Sequence, residues 1–243
     1  LNGAGVVAAL AAEARALGPP PKSGECSALE DGMLVAVSGI GSAAAQGAAR
    51  RLIAAGATSL VSWGLAGGLD PGLEAGAVCL PRVVVAADGT RFPTTRSWRE
   101  SLASSLAAHA HVESGNLLTA ALPIDTVDAK QALYLATGAA AVDMESSAVA
   151  QVAEAHGLPF IAVRVIVDTA RDGLPQAVAR ASRAGRVQVG RLLLGLIRSP
   201  RQLGALLRLA RRYRLAARSL RAVAHLGGLT PPASSALSRL GDA

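Results

Sequence analysis

Aromatic residues make up only 2% of this 243-residue chain, two each of Trp, Tyr and Phe. Recognition of nucleic acid by rows of stacked rings therefore has almost no material to work with. Cysteine is equally scarce. Cys26 and Cys79 cannot build a disulfide scaffold or a four-thiolate zinc site, and neither lies near a histidine in sequence, so no metal centre is expected. A reducing compartment suits that usage. Lysine occurs only at 22 and 130, which leaves arginine at 22 of the 24 cationic positions. The longest uncharged run, residues 52–69 (LIAAGATSLVSWGLAGGL), approaches the length of a membrane span, but glycines 56, 64, 67 and 68 interrupt it. It divides into a helix end at Gly56, a strand TSLVSW and a glycine turn, so no transmembrane helix is expected. No basic stretch precedes an apolar one, and no signal peptide is expected either.

What is present is ample core material, with 51% of residues hydrophobic and 17% charged. One domain of about 200 residues with an appendage follows from that length. Strand-length apolar runs alternate with Ala-rich stretches of helical period. The strand candidates are 5–10 (GVVAAL), 33–39 (MLVAVSG), 59–65 (SLVSWGL), 76–86 (GAVCLPRVVVA), 138–144 (GAAAVDM) and 159–167 (PFIAVRVIV). Between them 42–55, 97–110 and 145–156 read as helices. Alternation of this kind predicts an α/β class fold, a three-layer α/β/α sandwich around a mostly parallel, central mixed sheet. Ligands in such folds bind beyond the carboxyl ends of the strands.

Several places there carry chemistry, and each has a plain structural alternative. Glu13 follows the first strand, where an acid also suits a helix's first turn. SGIGSAAA at 38–45 is a glycine-rich strand-to-helix turn whose free N–H groups could hold an anion or simply make the turn. The glycines of 63–81 are spaced for close approach to a flat ligand or for a tight connection. AVDMESSAVA delivers Asp143, Met144 and Glu145 to a helix start, where Asp143 or Ser146 could cap the helix. A carboxylate such as Glu145 is suited to accept hydrogen bonds from two vicinal sugar hydroxyls. Arg164 lies inside an apolar strand that ends at Asp168; a buried arginine needs an acid partner, and Glu145 is the candidate.

Taken together, AALAAE, SGIGSAAA, LAGGLDPGLEAGAVCLP, AVDMESSAVAQVA and VRVIVD resemble the nucleoside phosphorylase and nucleosidase superfamily, over roughly residues 5–198. The likeness is to the methylthioadenosine/S-adenosylhomocysteine nucleosidase branch, and most of all to the hopanoid-associated phosphorylases, which release adenine from adenosylhopane and share an arginine-rich extension. The resemblance implies that Asp168 protonates adenine at N7, that Glu145 with Met144 holds the ribose hydroxyls supported by Arg164, and that Glu13 activates a water. It places Ala66, Gly67, Asn116 and Leu118 around the base and implies a homodimer. The chemistry is that of a glycosidase, with an acid on the leaving group and a carboxylate beside the developing positive charge. Three positions depart from the nucleosidase pattern: Leu65 replaces a serine, Val167 replaces another before Asp168, and Leu118 stands where a ring would stack on adenine. These suit a greasier ligand. No cofactor is implied. Phosphate as co-substrate would be held by Gly41, Ser42 and Arg15, whereas Glu13 would repel it and favours water; the acceptor stays open. A methylthioadenosine/S-adenosylhomocysteine nucleosidase is the alternative enzyme, and a nucleic-acid-binding module or a catalytically dead nucleoside sensor are the other classes.

Charge divides the chain. Residues 1–172 carry 11 basic and 16 acidic side chains, whereas 173–243 carry 13 arginines against the single Asp242. The expected organisation is a catalytic domain at 1–198, an arginine-rich amphipathic helical extension at 199–230 and a flexible tail at 231–243. From Pro200 to Leu226 one helix would place Leu206, Leu209, Ala210, Tyr213, Ala216, Ala217, Leu220, Val223 and Ala224 on one face and arginines on the other. With no acid between Asp172 and Asp242, the arginines lack local partners, which suits an anionic membrane surface rather than nucleic acid. The alternative is that the apolar face packs on the core or on a sister subunit. The expected location is cytoplasmic, peripheral at the inner membrane face.

Overall fold

The structure, a computed structural model, describes residues 3–22, 24–173 and 203–232. The expected boundary at 198/199 and nearly all of the expected tail lie outside the described residues. The strands are β1 (Ala4–Ala8), β2 (Cys26–Ala28), β3 (Leu34–Val37), β4 (Ser59–Gly68), β5 (Val78–Cys79), β6 (Val83–Val85), β7 (Arg91–Pro93), β8 (Val112–Glu113), β9 (Leu117–Thr119), β10 (Ala141–Asp143) and β11 (Phe160–Asp168). The helices are α1 (Ala11–Ala14), α2 (Ser42–Ala54), α3 (Arg96–Leu106), α4 (Val127–Thr137), α5 (Ser146–Ala155) and α6 (Leu203–Leu226).

The eleven strands of the described residues join one mixed sheet ordered β2-β3-β1-β4-β10-β9-β6-β7, with β11 beside β4 and β5, and β8 beyond β5. The pairs β1·β3, β1·β4, β4·β11, β9·β10, β6·β9 and β5·β8 are parallel; β4·β10, β5·β11, β2·β3 and β6·β7 are antiparallel. Side chains of β11 alternate between two cores, as the pleat requires. Phe160, Ala162 and Ile166 face α2 and α5, where Ala48, Leu52, Val149 and Val152 are buried. Ile161, Val163 and Val165 face Trp98, Leu102 and Leu106 of α3 and Ala216, Leu220 and Val223 of α6. Both faces of the sheet are thus covered, the expected three layers.

Three expectations are corrected. The run 76–86 is not one strand: Pro81 lacks the N–H a ladder needs, and the chain splits into β5 and β6. The glycines after Trp63 do not form a turn, because β4 continues through Gly68 with Gly64 paired to Arg164 and Gly67 to Asp168. The third concerns α6. The part of its apolar face from Ala216 to Val223 is taken up by the core, with Ala216, Leu220 and Val223 at 0–2% exposure, whereas Ala210 is exposed; Trp98 Nε1 donates to the Gly228 carbonyl at 3.3 Å. Nor are all its arginines unpartnered, since Arg212 pairs with Asp172 at 2.7 Å. Arg208, Arg211, Arg214, Arg218 and Arg221 remain exposed. Among the described residues no helix is long and apolar enough to cross a membrane.

Candidate active site

The floor of the site is the second half of β4. From one side β1 runs parallel to it and ends opposite Trp63, leading into α1 and Glu13. On the other, β11 places Arg164 across from Gly64 and, after a bulge between Ile166 and Asp168, sets Asp168 across from Gly67. The bulge leaves Val167 unpaired and bends the strand end. β10 enters antiparallel to β4, pairing Val142 with Gly67, and so brings Asp143 and Glu145 back toward the same place.

Glu13 is buried and receives two backbone donors, Leu10 N–H on Oε2 and Leu65 N–H on Oε1, each at 2.9 Å. The first of these is the helix-end contact of an ordinary capping acid; the second turns the carboxylate onto β4. Leu65 thus contributes its amide rather than a hydroxyl. Gly64 makes this approach feasible: at its φ of +153°, a Cβ would lie 2.6 Å from Glu13 Oε1 and 2.8 Å from Arg164 Nη1. Gly67 serves Asp168 likewise, since a Cβ there would stand 3.3 Å from Asp168 Oδ2.

Arg164 is 1% exposed and anchors the other wall. Its Nη2 reaches Asp143 Oδ2 at 2.8 Å and Glu145 Oε2 only at 3.9 Å, so Asp143, not Glu145, is its main acid partner. Ser62 and Ser146 hydroxyls accept further bonds at 2.7–3.2 Å. Asp143 in turn accepts from Thr119 Oγ1 at 2.8 Å and caps α5 through Ser146 N–H at 3.1 Å. Relieved of a close ion pair, Glu145 points Oε1 at the Gly41 amide, 2.9 Å away.

Three of these carboxylates, Glu13, Glu145 and Asp168, are made hard to ionise by burial. Burial pushes Glu13 up, against the pull of the Arg164 guanidinium and the amides around it. Glu145 is pushed up to about 7, by burial first, with Arg164 opposing and Asp143 adding to the rise. Asp168 is likewise raised by burial, opposed by Lys130. Cys79, buried among apolar side chains, has its thiol pushed up to about 12 by burial and offers no nucleophile near neutral pH.

Not every expected residue joins this cluster. Leu118, 7% exposed, packs with Leu69 and Val142, and Val142 borders Gly67, so Leu118 belongs to the apolar wall on the Asp168 side. Ala66 packs toward α2 and α5. Asn116 stands before β9 begins, whereas Thr119 at the strand's other end is the residue that meets Asp143. Three residues of strand, roughly 10 Å, separate it from the Thr119–Asp143 pair. Met144 offers its carbonyl to Ser42 Oγ at 3.2 Å. Of the phosphate set, Gly41 and Ser42 are therefore already engaged, and Arg15 is exposed at the end of α1.

Two partners were missed from sequence. From sequence Asp143 suits a helix cap, and nothing in its spacing marks it as the counter-ion of Arg164. Lys130, 0% exposed on α4, forms a buried ion pair with Asp168 and donates to the Thr169 carbonyl at 2.8 Å. Its one sequence signal is being a lysine in a chain that otherwise uses arginine almost throughout.

Known proteins share the fold that carries this site. Residues 23–198 match the profile of the phosphorylase superfamily. Among solved structures, a 5′-methylthioadenosine/S-adenosylhomocysteine nucleosidase from Helicobacter pylori superposes with a TM-score of 0.68 at 18% identity, over 93% of this chain and 98% of that one. The corresponding nucleosidase from Neisseria meningitidis also scores 0.68, at 19% identity over 93% and 98%. Futalosine hydrolase from Helicobacter pylori scores 0.66 at 18% identity over 92% and 97%. At these identities the likeness is one of fold. No curated protein matches the chain.

Proposed function

Since the chain belongs to the phosphorylase superfamily and is an N-glycosyl bond-cleaving enzyme, we propose that it releases adenine from an adenine nucleoside with a large apolar 5′ substituent, adenosylhopane being the substrate that fits best, in hopanoid lipid biosynthesis. The observation that carries this reading is that two buried carboxylates, Glu13 and Asp168, close on the Gly64–Gly67 stretch, with a third, Glu145, near the Arg164 guanidinium that also borders Gly64. Asp168 gives a proton to N7 of the base, so that a neutral purine departs. Glu145, which becomes a carboxylate near neutral pH, accepts the ribose hydroxyls. Glu13 takes the proton of the attacking water, and its negative charge lies beside the oxocarbenium-like carbon.

Water is the acceptor favoured here. The amide of Gly41, the best phosphate donor in the sequence, is held by Glu145, and a phosphate dianion would face Glu13 and Glu145 together. The apolar residues Leu65, Leu118 and Val167 support a greasy ligand, and such a lipid would reside in a bilayer. The exposed arginines of α6 are accordingly read as a contact to anionic lipid, made through charge because Ala216, Leu220 and Val223 of that helix are in the core. A soluble methylthioadenosine/S-adenosylhomocysteine nucleosidase is the second reading, favoured by the full-length superposition on such enzymes.

Adenine release from adenosylhopane, methylthioadenosine and S-adenosylhomocysteine, each with and without phosphate, separates these readings, with the sugar product weighed by mass spectrometry. Preference for adenosylhopane and an unphosphorylated sugar product is expected. Preference for methylthioadenosine selects the second reading, and a sugar 1-phosphate overturns water as acceptor.

A further inference from the structure

Lys130 is the one buried side chain of α4, whose other residues are exposed or half-buried. Its ammonium touches none of the groups that hold Glu13, Arg164 or Glu145; it meets Asp168 Oδ2 and the Thr169 carbonyl oxygen. A buried ion pair is costly to desolvate, and leucine or methionine would anchor α4 more cheaply. Arginine, the cation this chain uses almost everywhere else, cannot give up its proton, whereas a buried lysine can. Placement and residue type therefore suit a group that moves a proton rather than one that merely balances charge.

Resting on the reading of the site as purine-releasing, we propose that Lys130 acts through Asp168 as the proton source for the departing base: a positioning residue that holds Oδ2 and resupplies the carboxyl as its proton leaves. The C1′–N9 bond breaks with its electron pair moving into the purine. N7 takes a proton from Asp168, and Asp168 takes one from the Lys130 ammonium, which becomes a neutral amine. Water bonds to C1′ and gives its proton to Glu13. After the products leave, Glu13 loses that proton and Lys130 regains one through solvent, so the cycle closes without another reactant. Like a lone buried aspartate, the pair draws one proton from solvent per turnover, but it holds that proton on Lys130, beside the carboxyl that delivers it.

The test uses the full chain and the variants Lys130→Met and Lys130→Arg, with kcat and KM followed across pH on adenosine or its preferred nucleoside. A parallel assay uses p-nitrophenyl riboside, whose leaving group needs no proton. The Met variant is expected to lose about 100-fold in kcat on the purine nucleoside, the scale of a positioned proton donor, with far less change in KM. Its loss on the nitrophenyl riboside should be much smaller. Lys130→Arg, which keeps the charge, should lose as much as the Met variant. The counter-charge alternative gives the opposite sign: without a cation beside it Asp168 stays protonated to higher pH, so the Met variant would hold or gain activity above neutral pH and the Arg variant would match the parent. Either result overturns the role of Lys130. Should Lys130→Met not fold, Lys130→Arg alone decides. Failure of the unaltered chain to release any purine would instead overturn the reading on which this rests.

Discussion

Arg164 and Asp143 form an ion pair at 2.8 Å with both side chains only 1% exposed, while Glu145, one residue from Met144 and two from Asp143, is left 3.9 Å from the same guanidinium. That division of labour gives one carboxylate to the fold and frees the other for a ligand. Asp143→Ala should destabilise the protein by about 3–5 kcal/mol, because it strands a buried guanidinium. Glu145→Gln should cost little or nothing. Urea denaturation of the two variants at neutral pH checks this; equal losses would show that both acids serve the fold.

Glu145 also makes stability depend on pH. Its carboxyl is raised to about 7, above its unfolded value, so the folded state binds the proton more tightly than the unfolded one. The resulting stability is full below about pH 4.5 and lost as pH rises through about 7, on the order of 3 kcal/mol for a shift of this size. Thermal denaturation should therefore show a melting temperature falling from about pH 5 to about pH 8, with a shallower fall in Glu145→Gln. Riboside binding should run the other way, strengthening as Glu145 ionises.

Much of this arrangement was legible in the sequence, and the misses have physical causes. The strand that leads into Glu13 and the one that carries Arg164 and Asp168 stand out because buried strands read as apolar runs. α4 did not stand out: its helix has no apolar stripe, and the single side chain it buries is Lys130, so the usual periodic signal is absent. The strand character of Gly64 to Gly68 was hidden because glycine in series reads as a turn, when here each missing Cβ makes room for a carboxylate or an aliphatic neighbour. That Asp143 rather than Glu145 faces Arg164 follows from β10 running antiparallel to β4, a pairing that spacing along the chain does not encode.

Gly64→Ala tests the close approach directly. The added methyl would meet Glu13 and Arg164 at under 3 Å from a backbone at φ of +153°, with no flexible apolar neighbour to yield. A loss of about 2 kcal/mol or more in stability is expected, together with loss of turnover as Glu13 is displaced. Gly89→Ala is the control: its φ is +87° but nothing lies within 4 Å of the new methyl, so about 1 kcal/mol of backbone strain and unchanged turnover are expected. Comparable effects of the two would show that the contact with Glu13 is immaterial.

Asp168→Asn should fold and bind nucleoside while losing about 100-fold or more in turnover, because an amide has no acidic proton to deliver to the base. Glu13→Gln should also slow chemistry more than binding if water is the nucleophile. Glu145→Gln should weaken ribosides far more than free adenine, its partners being the sugar hydroxyls. Single-turnover rates and adenine titrations on the three variants separate these roles; an equal loss of free adenine binding in Glu13→Gln and Glu145→Gln would contradict them.

The contact proposed between α6 and anionic lipid needs a charge change and not a deletion. Cutting the chain before α6 would uncover Trp98, Leu102 and the β11 side chains against which Ala216, Leu220 and Val223 pack, and any lost function would then report a damaged core. It would also remove groups from the site's surroundings, since Arg212 pairs with Asp172 and Glu13 acts on the half-buried Tyr213 phenol, which burial holds above its ordinary value. Replacing Arg208, Arg211, Arg214, Arg218 and Arg221, all exposed, by glutamine leaves that packing alone. Arginines near an anionic surface contribute about 1 kcal/mol each, so five together should decide whether the protein floats with phosphatidylserine vesicles. The unaltered chain should float at low salt and be released as salt rises and screens the attraction. The five-fold variant should stay in solution, keep its melting temperature and keep full activity on small soluble nucleosides while losing it on vesicle-borne substrate. Equal flotation of the two, or flotation of neither, would show that the arginine face does not meet the membrane.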